Sequence, residues 1–126
     1  MIIYGLPLQS YIGVSYPPAN VTAFQAQAEN GGILLTWNDP EDTVINNATL
    51  AIWVGTKVVR KLGGYPTTEN DGVLVVDNTI RGKYKINGFY DEEAVSGFTY
   101  YYQAFPYTGN GSVNRYEQNR VKIEVE

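Results

Sequence analysis

The side chains that could do chemistry in this chain are carboxylates, and they stand in two short acidic runs. The runs are Asp39, Glu41 and Asp42, and then Asp91, Glu92 and Glu93. Two carboxylates can serve a glycoside hydrolase as acid and base, and carboxylate oxygens can also bind Ca²⁺. Both runs fall in predicted turns, where acidic residues usually cap the chain, and neither has the spacing of an EF-hand loop. We therefore expect them to be structural and solvated.

Histidine and cysteine are both absent from the sequence. Without them the chain can build neither a Ser-His-Asp triad nor a thiol nucleophile. It also lacks disulfides and the two commonest zinc ligands. We therefore expect a protein that is not an enzyme and that holds no cofactor and no metal.

The balance of charge limits the possible partners. The chain carries 9 Lys and Arg against 13 Asp and Glu, a formal net charge of −4, and its longest basic run is a dipeptide. Because nucleic-acid binding takes several aligned cations, we expect no nucleic-acid partner. Residues 1–8 are apolar, but they lack a basic start and contain Gly5 and Pro7. They therefore predict neither a signal peptide nor a membrane span, and we expect a cytoplasmic product without membrane insertion.

The spacing of apolar residues predicts strands. The 126 residues suffice for one domain, and 11 tyrosines, 13 glycines and 6 prolines favour strands and turns. Apolar residues alternate along 33–37 and 121–125, which predicts half-buried strands. Further strands are predicted at 21–28, with a bulge near 22–23, and at 49–54, 57–61, 73–76, 83–86 and 98–107. About seven short strands separated by turns predict an all-β, antiparallel β-sandwich.

The N-terminal residues 1–18 are predicted to form an extended arm outside the domain of residues 19–126. Pro17 and Pro18 mark the boundary, since proline cannot donate to a sheet. The arm has many apolar residues without a steady period, so it needs a surface to cover. Its predicted partner-binding residues are Ile2, Ile3, Tyr4, Leu6, Leu8, Tyr11 and Ile12. We expect the arm to add to a sheet edge of a neighbouring subunit.

Two local patterns resemble the fibronectin type III family. Trp37 ends the second predicted strand, just before Asn38-Asp39-Pro40, and is similar in position to the family's core tryptophan. Gly97, followed three residues later by Tyr100, resembles the tyrosine corner, in which the phenol hydroxyl bonds back to the backbone. The resemblance covers residues 17–126 and implies an immunoglobulin-like β-sandwich of about seven strands.

A longer set of segments resembles one variety of this family. The segments are Gly55 to Lys61, Gly64 to Thr67, Asp71-Gly72 with Leu74 to Val76, and Tyr100 to Tyr102 with Phe105 to Tyr107. This variety occurs in tail, baseplate and fibre proteins of phages that infect Gram-positive bacteria, and in some bacterial surface proteins. The resemblance implies a virion protein that is assembled in the host cytoplasm. Its partners would be other virion proteins or copies of itself.

The resemblance also implies that the third and sixth strands pair. If Tyr100 and Tyr102 point inward, Tyr101 and Phe105 point outward, and an outward Trp53 lies beside them. Exposed, clustered aromatic residues mark a partner surface or a platform for sugar rings, unless the arm folds back and covers them. Two functions therefore stay open: a virion module that docks through its arm and projects a sandwich, or an adhesion module that binds host cell-wall glycans.

Overall fold

The structure is a computed structural model that describes residues 16–125, so residues 1–15 of the predicted arm lie outside the described residues. Within that range the chain forms nine β-strands and one short 3₁₀ helix. The strands are β1 (Thr22–Glu29), β2 (Gly32–Asn38), β3 (Thr43–Ile45), β4 (Ala48–Ala51), β5 (Gly55–Leu62), β6 (Val73–Asn78), β7 (Phe89–Asp91), β8 (Thr99–Tyr107) and β9 (Arg120–Glu124), and the 3₁₀ helix is Glu117–Asn119.

Seven of these strands form the two sheets of a sandwich. The first sheet has the order β1-β2-β7 and the second has the order β6-β5-β8-β9. Every strand pair is antiparallel, and β3 and β4 form a separate two-stranded hairpin. The all-β, fibronectin type III-like (immunoglobulin-like) sandwich predicted from the sequence is therefore confirmed.

A hydrophobic core lies between the two sheets. Its buried members are Val21, Ile33, Leu35, Trp37, Val58, Ala94, Tyr100, Tyr102, Ala104 and Val125. Leu34 and Thr36, which alternate with the buried residues of β2, are more exposed, as the period of two predicted. The Trp37 ring packs edge-on against Phe24 at 6.1 Å. Each large apolar side chain buried in this way stabilises the fold by about 1.5–3 kcal/mol.

The predicted bulge near residues 22–23 is present. The register of β1 against β2 shifts between Thr22 and Gln25, and Ala23 has a φ of 51°. A bulge inserts one extra residue, so the side chains that follow change face. This change returns Phe24 and Ala26 to the core side of β1.

Two predicted strands are wrong. The segment 49–54 is divided, because β4 ends at Ala51 and β5 begins only at Gly55. β4 pairs with β3 through a turn at Asn46 and Asn47, both with positive φ, which suits a tight hairpin. The segment 83–86 is a series of turns, closed by the backbone bond from Lys83 N to Ile80 O at 3.1 Å.

The tyrosine corner has the hydrogen bond that the sequence pattern predicts. The backbone N–H of Val95 donates to the hydroxyl of Tyr100 at 3.0 Å. Gly97 supplies the positive φ of 91° at which the chain turns into β8. Tyr100 is buried, so its hydroxyl fixes the entry to β8 from inside the sandwich.

We predict that Tyr100→Phe destabilises the protein by about 1 kcal/mol, because the Val95 N–H loses its acceptor. Urea denaturation measures the loss. Tyr116→Phe is the matched control, since Tyr116 is 62% exposed. Equal stabilities for the two variants would show that the corner hydrogen bond contributes nothing measurable.

Candidate functional site

The carboxylate of Asp39 joins the end of β2 to three other segments. It is buried and accepts four hydrogen bonds of 2.8–2.9 Å. The donors are Trp37 Nε1, Thr56 Oγ1, Asn78 Nδ2 and Gly82 N. Asp39 is therefore not the solvated turn residue that the sequence predicted. Because its oxygens are occupied by these donors, it holds strands together and is poorly placed to move a proton.

The same network continues through Trp53 to the surface of this end of the sandwich. Trp53 Nε1 donates to Thr56 Oγ1 at 2.8 Å, and Trp53 N donates to Asp42 Oδ1 at 2.9 Å. The Arg81 guanidinium lies 5.0 Å from the Trp53 ring and bonds to Asp42 at 2.7 Å. The Trp53 N–H, and then Arg81, lower the pKa of Asp42 below its ordinary value. These residues close the loop that follows β4.

The second acidic run contains an ion pair inside the sandwich. Asp91 of β7 is buried, and both of its oxygens lie 2.8 Å from Nη1 of Arg60 on β5. The Tyr102 hydroxyl donates to the same carboxylate at 2.6 Å. Since β7 and β5 belong to different sheets, this pair joins the two sheets. The neighbouring Glu92 and Glu93 are exposed, as expected for a turn.

The pKa shifts around Asp91 follow from burial and from its charge. Burial, together with the bond to Asp91, raises the pKa of Tyr102 far above its ordinary value. Burial alone would lower the pKa of Arg60, but the bond to Asp91 and the attraction of its charge outweigh that effect and raise it. Tyr102 therefore stays a neutral phenol at neutral pH and donates to the carboxylate that Arg60 also binds. Among residues 16–125 no cluster of three or more potential metal ligands occurs.

Two of the three residues of the predicted aromatic face are buried, so they are not the exposed cluster that the sequence predicted. Trp53 is 7% exposed and Phe105 is 0% exposed, whereas Tyr101 is half-buried. Trp53 lies in the loop between β4 and β5 and bonds through its indole, so it is not on the strand that neighbours β8. The two strands that pair with β8 are β5 and β9, and Lys57 of β5 lies opposite Phe105. The structure therefore does not bring the three aromatic residues together.

The loop of residues 63–72 lies against the outer face of the four-stranded sheet, where Tyr101 and Phe105 are found. The Tyr65 ring meets the Tyr101 ring edge-on at 5.0 Å, and the Arg120 guanidinium lies 4.7 Å from Tyr65. Pro66 of the same loop is buried. The sequence predicted a surface loop here, and its Tyr65-Pro66 pair is the signal that could have shown an inward-packed segment.

A pair of charged residues fastens this loop to the segment after β8. Arg115 donates to both oxygens of Glu69, at 2.8 and 2.9 Å. This bond with Arg115 is the main reason that the pKa of Glu69 lies below its ordinary value of 4.5. The charged form of Glu69 is thus stabilised in the folded protein only.

The structure also contains an apolar groove that the sequence did not predict. The groove has a volume of about 410 Å³ and lies where the described chain begins. It is lined by Tyr16, Pro17, Pro18, Ala19, Asn20, Thr43, Ile45, Leu50, Asn114 and Tyr116. Ile45 and Tyr116 are 53% and 62% exposed. The predicted partner-binding residues of the arm lie outside the described residues, so their role stays a prediction.

Pro18, at the predicted arm boundary, packs against the domain. It is buried, and its carbonyl accepts a hydrogen bond from Asn114 Nδ2 at 3.0 Å. The buried Asn114 also bonds to Asn20 at 2.8 Å and to Asn119 at 3.1 Å. Side-chain amides therefore hold Pro18 and Asn20 against the domain.

The fold and these contacts define a class of protein: an antiparallel, immunoglobulin-like β-sandwich whose buried acidic residues hold its strands and loops together. A comparison with protein-family models found no match, and a comparison with curated proteins found none either. Within residues 16–125 no helix has the length and apolar character needed to cross a membrane.

We predict that Asp39→Ala destabilises the protein by about 3 kcal/mol or more, because three buried donors and the N–H of the exposed Gly82 lose their acceptor. The exposed Glu41, two residues away, is the matched control, and Glu41→Ala should change stability by less than about 0.5 kcal/mol. Chemical denaturation of both variants gives the comparison. A stable Asp39→Ala protein would contradict the structural role.

We predict that the stabilisation from Glu69 and Arg115 disappears in acid. The folded-state pKa of Glu69 is lowered, so its contribution is present above the unfolded value of about 4.5 and is lost as the pH falls through the folded value. Arg115→Ala should cost about 1 kcal/mol or less at pH 7, since Arg115 is partly exposed, and nothing near pH 2. Urea midpoints measured from pH 7 to 2 test this, with Lys85→Ala as control. A cost that is the same at both pH values would refute it.

Proposed function

We propose that this chain is a non-enzymatic structural and binding module of a virion, of the kind found in a phage tail, baseplate or fibre. It docks through its N-terminal arm and projects the sandwich. The observation that carries this proposal is that all charged side chains lie in the domain and none lies in the arm. The first charged residue of the chain is Glu29, so the arm is neutral and apolar, and it joins the domain beside an exposed apolar groove.

The positions of the buried carboxylates support the non-enzymatic part of the proposal. Asp39 and Asp91 have their oxygens bonded to donors from neighbouring strands. A general acid or base must exchange a proton with a substrate, which these two groups would do only by releasing the strands they join. Their role is to keep the sandwich rigid.

The segments that resemble the phage variety support the virion part of the proposal. They fall together on one sheet, on β5, β6 and β8, and on the loop of residues 63–72 that covers it. Gly55, at the start of β5, has no room for a side chain because the Tyr107 ring lies against it. The Tyr107 hydroxyl donates to Asp77 of β6 at 2.7 Å. The resembling residues thus stabilise one another.

A rigid sandwich with a neutral arm suits a protein that is built into a larger particle. Its partners would be other virion proteins or copies of itself, assembled in the host cytoplasm without membrane insertion or nucleic-acid binding. The glycan-binding alternative needs Trp53, Tyr101 and Phe105 as stacking residues. Because Trp53 and Phe105 are buried and Tyr101 is half-buried, we do not propose that face as a sugar platform.

We predict that removal of residues 1–15 leaves a folded monomer that no longer assembles. The sandwich core and its hydrogen bonds lie within residues 16–125, so folding should persist, and circular dichroism checks it. Light scattering of the full chain and of the chain beginning at Tyr16 compares their masses. Retention of the assembled mass after the removal would contradict the proposal.

A further inference from the structure

Three asparagines of the chain are followed directly by glycine, and this pair of residues is chemically labile. They are Asn30, Asn87 and Asn110. In such a pair the backbone nitrogen of the glycine can attack the side-chain carbonyl carbon of the asparagine, because glycine has no Cβ to hinder the approach. Asparagine is accordingly among the thermolabile residues of proteins. All three asparagines are exposed, so the hydrogen bonds around each pair decide which of them reacts.

The structure restrains both of the groups that would have to react at Asn110. The N–H of Gly111, which would supply the attacking nitrogen, donates to the carbonyl of Thr108 at 3.2 Å. The side-chain oxygen of Asn110 accepts a hydrogen bond from the Thr108 hydroxyl at 2.5 Å. Because both bonds must open before the nitrogen can reach the side-chain carbon, the reaction at Asn110 is slowed.

Asn30 is restrained by the tight turn between β1 and β2. It has a positive φ of 52°, and the residues on either side of the turn, Glu29 and Gly32, pair with each other. The hydroxyl of Tyr90 bonds to the carbonyls of Glu29 and Asn30 at 2.9 and 3.0 Å. Since a peptide unit is planar, the nitrogen of Gly31 can turn toward the Asn30 side chain only if the Asn30 carbonyl turns as well. That rotation breaks the bond to Tyr90.

The Asn87-Gly88 pair has fewer restraints. Among residues 16–125 no group accepts a hydrogen bond from the N–H of Gly88, and none bonds to the Asn87 side chain. Asn87 lies at the end of the turns between β6 and β7, and the residue before it, Ile86, is 83% exposed. The attacking nitrogen and the carbon that it attacks are therefore both available in the folded protein.

The fold itself requires the glycine of this pair. Gly88 has a φ of 74°, and a Cβ there would lie 2.7 Å from the carbonyl oxygen of Leu35 and 2.9 Å from Cδ1 of Leu34. Any other residue at this position would push the start of β7 away from β2. By contrast, a Cβ at Gly31 or Gly111 would point into open space. The packing of β7 on β2 therefore keeps a labile pair at an exposed site.

We infer that Asn87 is a site of spontaneous deamidation whose product loosens β7. The nitrogen of Gly88 bonds to the side-chain carbon of Asn87, and the side-chain amide leaves as ammonia with the proton of that N–H. The product is a succinimide ring, which water then opens at either carbonyl. Opening at the main-chain carbonyl gives isoaspartate, in which the backbone runs through the side chain and gains one methylene. Opening at the other carbonyl gives aspartate.

The added methylene of isoaspartate falls immediately before β7. Because Gly88 already lies against β2, the extra length of backbone displaces β7 along β2, where Asp91 pairs with Ile33. The Asp91 carboxylate then moves from its position 2.8 Å from Nη1 of Arg60. Isoaspartate at position 87 therefore weakens the ion pair that joins the two sheets.

Peptide mapping by mass spectrometry tests which asparagine reacts. The full chain is kept at mildly alkaline pH, either folded in buffer or unfolded in guanidinium chloride, and conversion at each asparagine is followed. In the unfolded chain Asn30, Asn87 and Asn110 should react at similar rates, because glycine follows each of them. In the folded protein Asn87 should react about tenfold faster than Asn110, as two hydrogen bonds restrain the latter. If Asn30 or Asn110 reacts as fast as Asn87 in the folded protein, the inference is wrong.

The stability of the product tests the effect on β7. The isoaspartate form, purified by chromatography, should unfold at a lower urea concentration than the unmodified protein. Asn87→Asp is the matched control, since it adds the same charge at an exposed site without the methylene and should change the midpoint little. Asn87→Ala cannot form the ring and should yield no such product at this position. An isoaspartate form that is as stable as Asn87→Asp would overturn the proposed loosening of β7.

Discussion

The ion pair between Arg60 and Asp91 is the constraint on which the sandwich depends. Arg60 points from β5 into the space between the sheets, and a charge in that position is tolerated only when an opposite charge meets it. Asp91 comes from β7, a strand of three residues at the edge of the other sheet. The pair, with the Tyr102 hydroxyl, therefore fixes the distance between the sheets and the position of a strand too short to be held by its own hydrogen bonds. Removing either charge would leave the other buried and unpaired.

Asp39 acts in the same way at another point of the sandwich. It gathers donors from β2, β5 and β6 and from the turn at Gly82, and Trp53 extends the network to Asp42 and Arg81. The residues within each acidic run therefore differ in burial. In each run one carboxylate is buried and joins strands, whereas Glu41, Glu92 and Glu93 remain exposed in turns. The Asp39 network and the Arg60–Asp91 pair therefore fix the positions of strands and loops in a domain that has no disulfides.

The sequence predicted local periodicity well and contacts between distant residues poorly. The alternation on β2, the bulge near Ala23 and the Tyr100 corner depend on neighbouring residues, and all three are present. The errors came from long-range contacts. The apolar residues around Trp53 predict a strand, but its indole bonds into the Asp39 network. Phe105 alternates correctly to the outer face, yet the loop that carries Tyr65 folds over that face. The groove joins residues from four separate segments, which no local pattern could indicate.

The distribution of charge divides the chain into two parts. Every ion pair in the described residues lies within or on the sandwich, where it either joins elements or faces solvent. By contrast, the 28 residues before Glu29 carry no charged side chain, and they include both the arm and the part of the chain that borders the groove. The charged residues thus hold the sandwich together, whereas neutral side-chain amides hold the chain that leads into it, as Asn114 does when it donates to the carbonyl of Pro18.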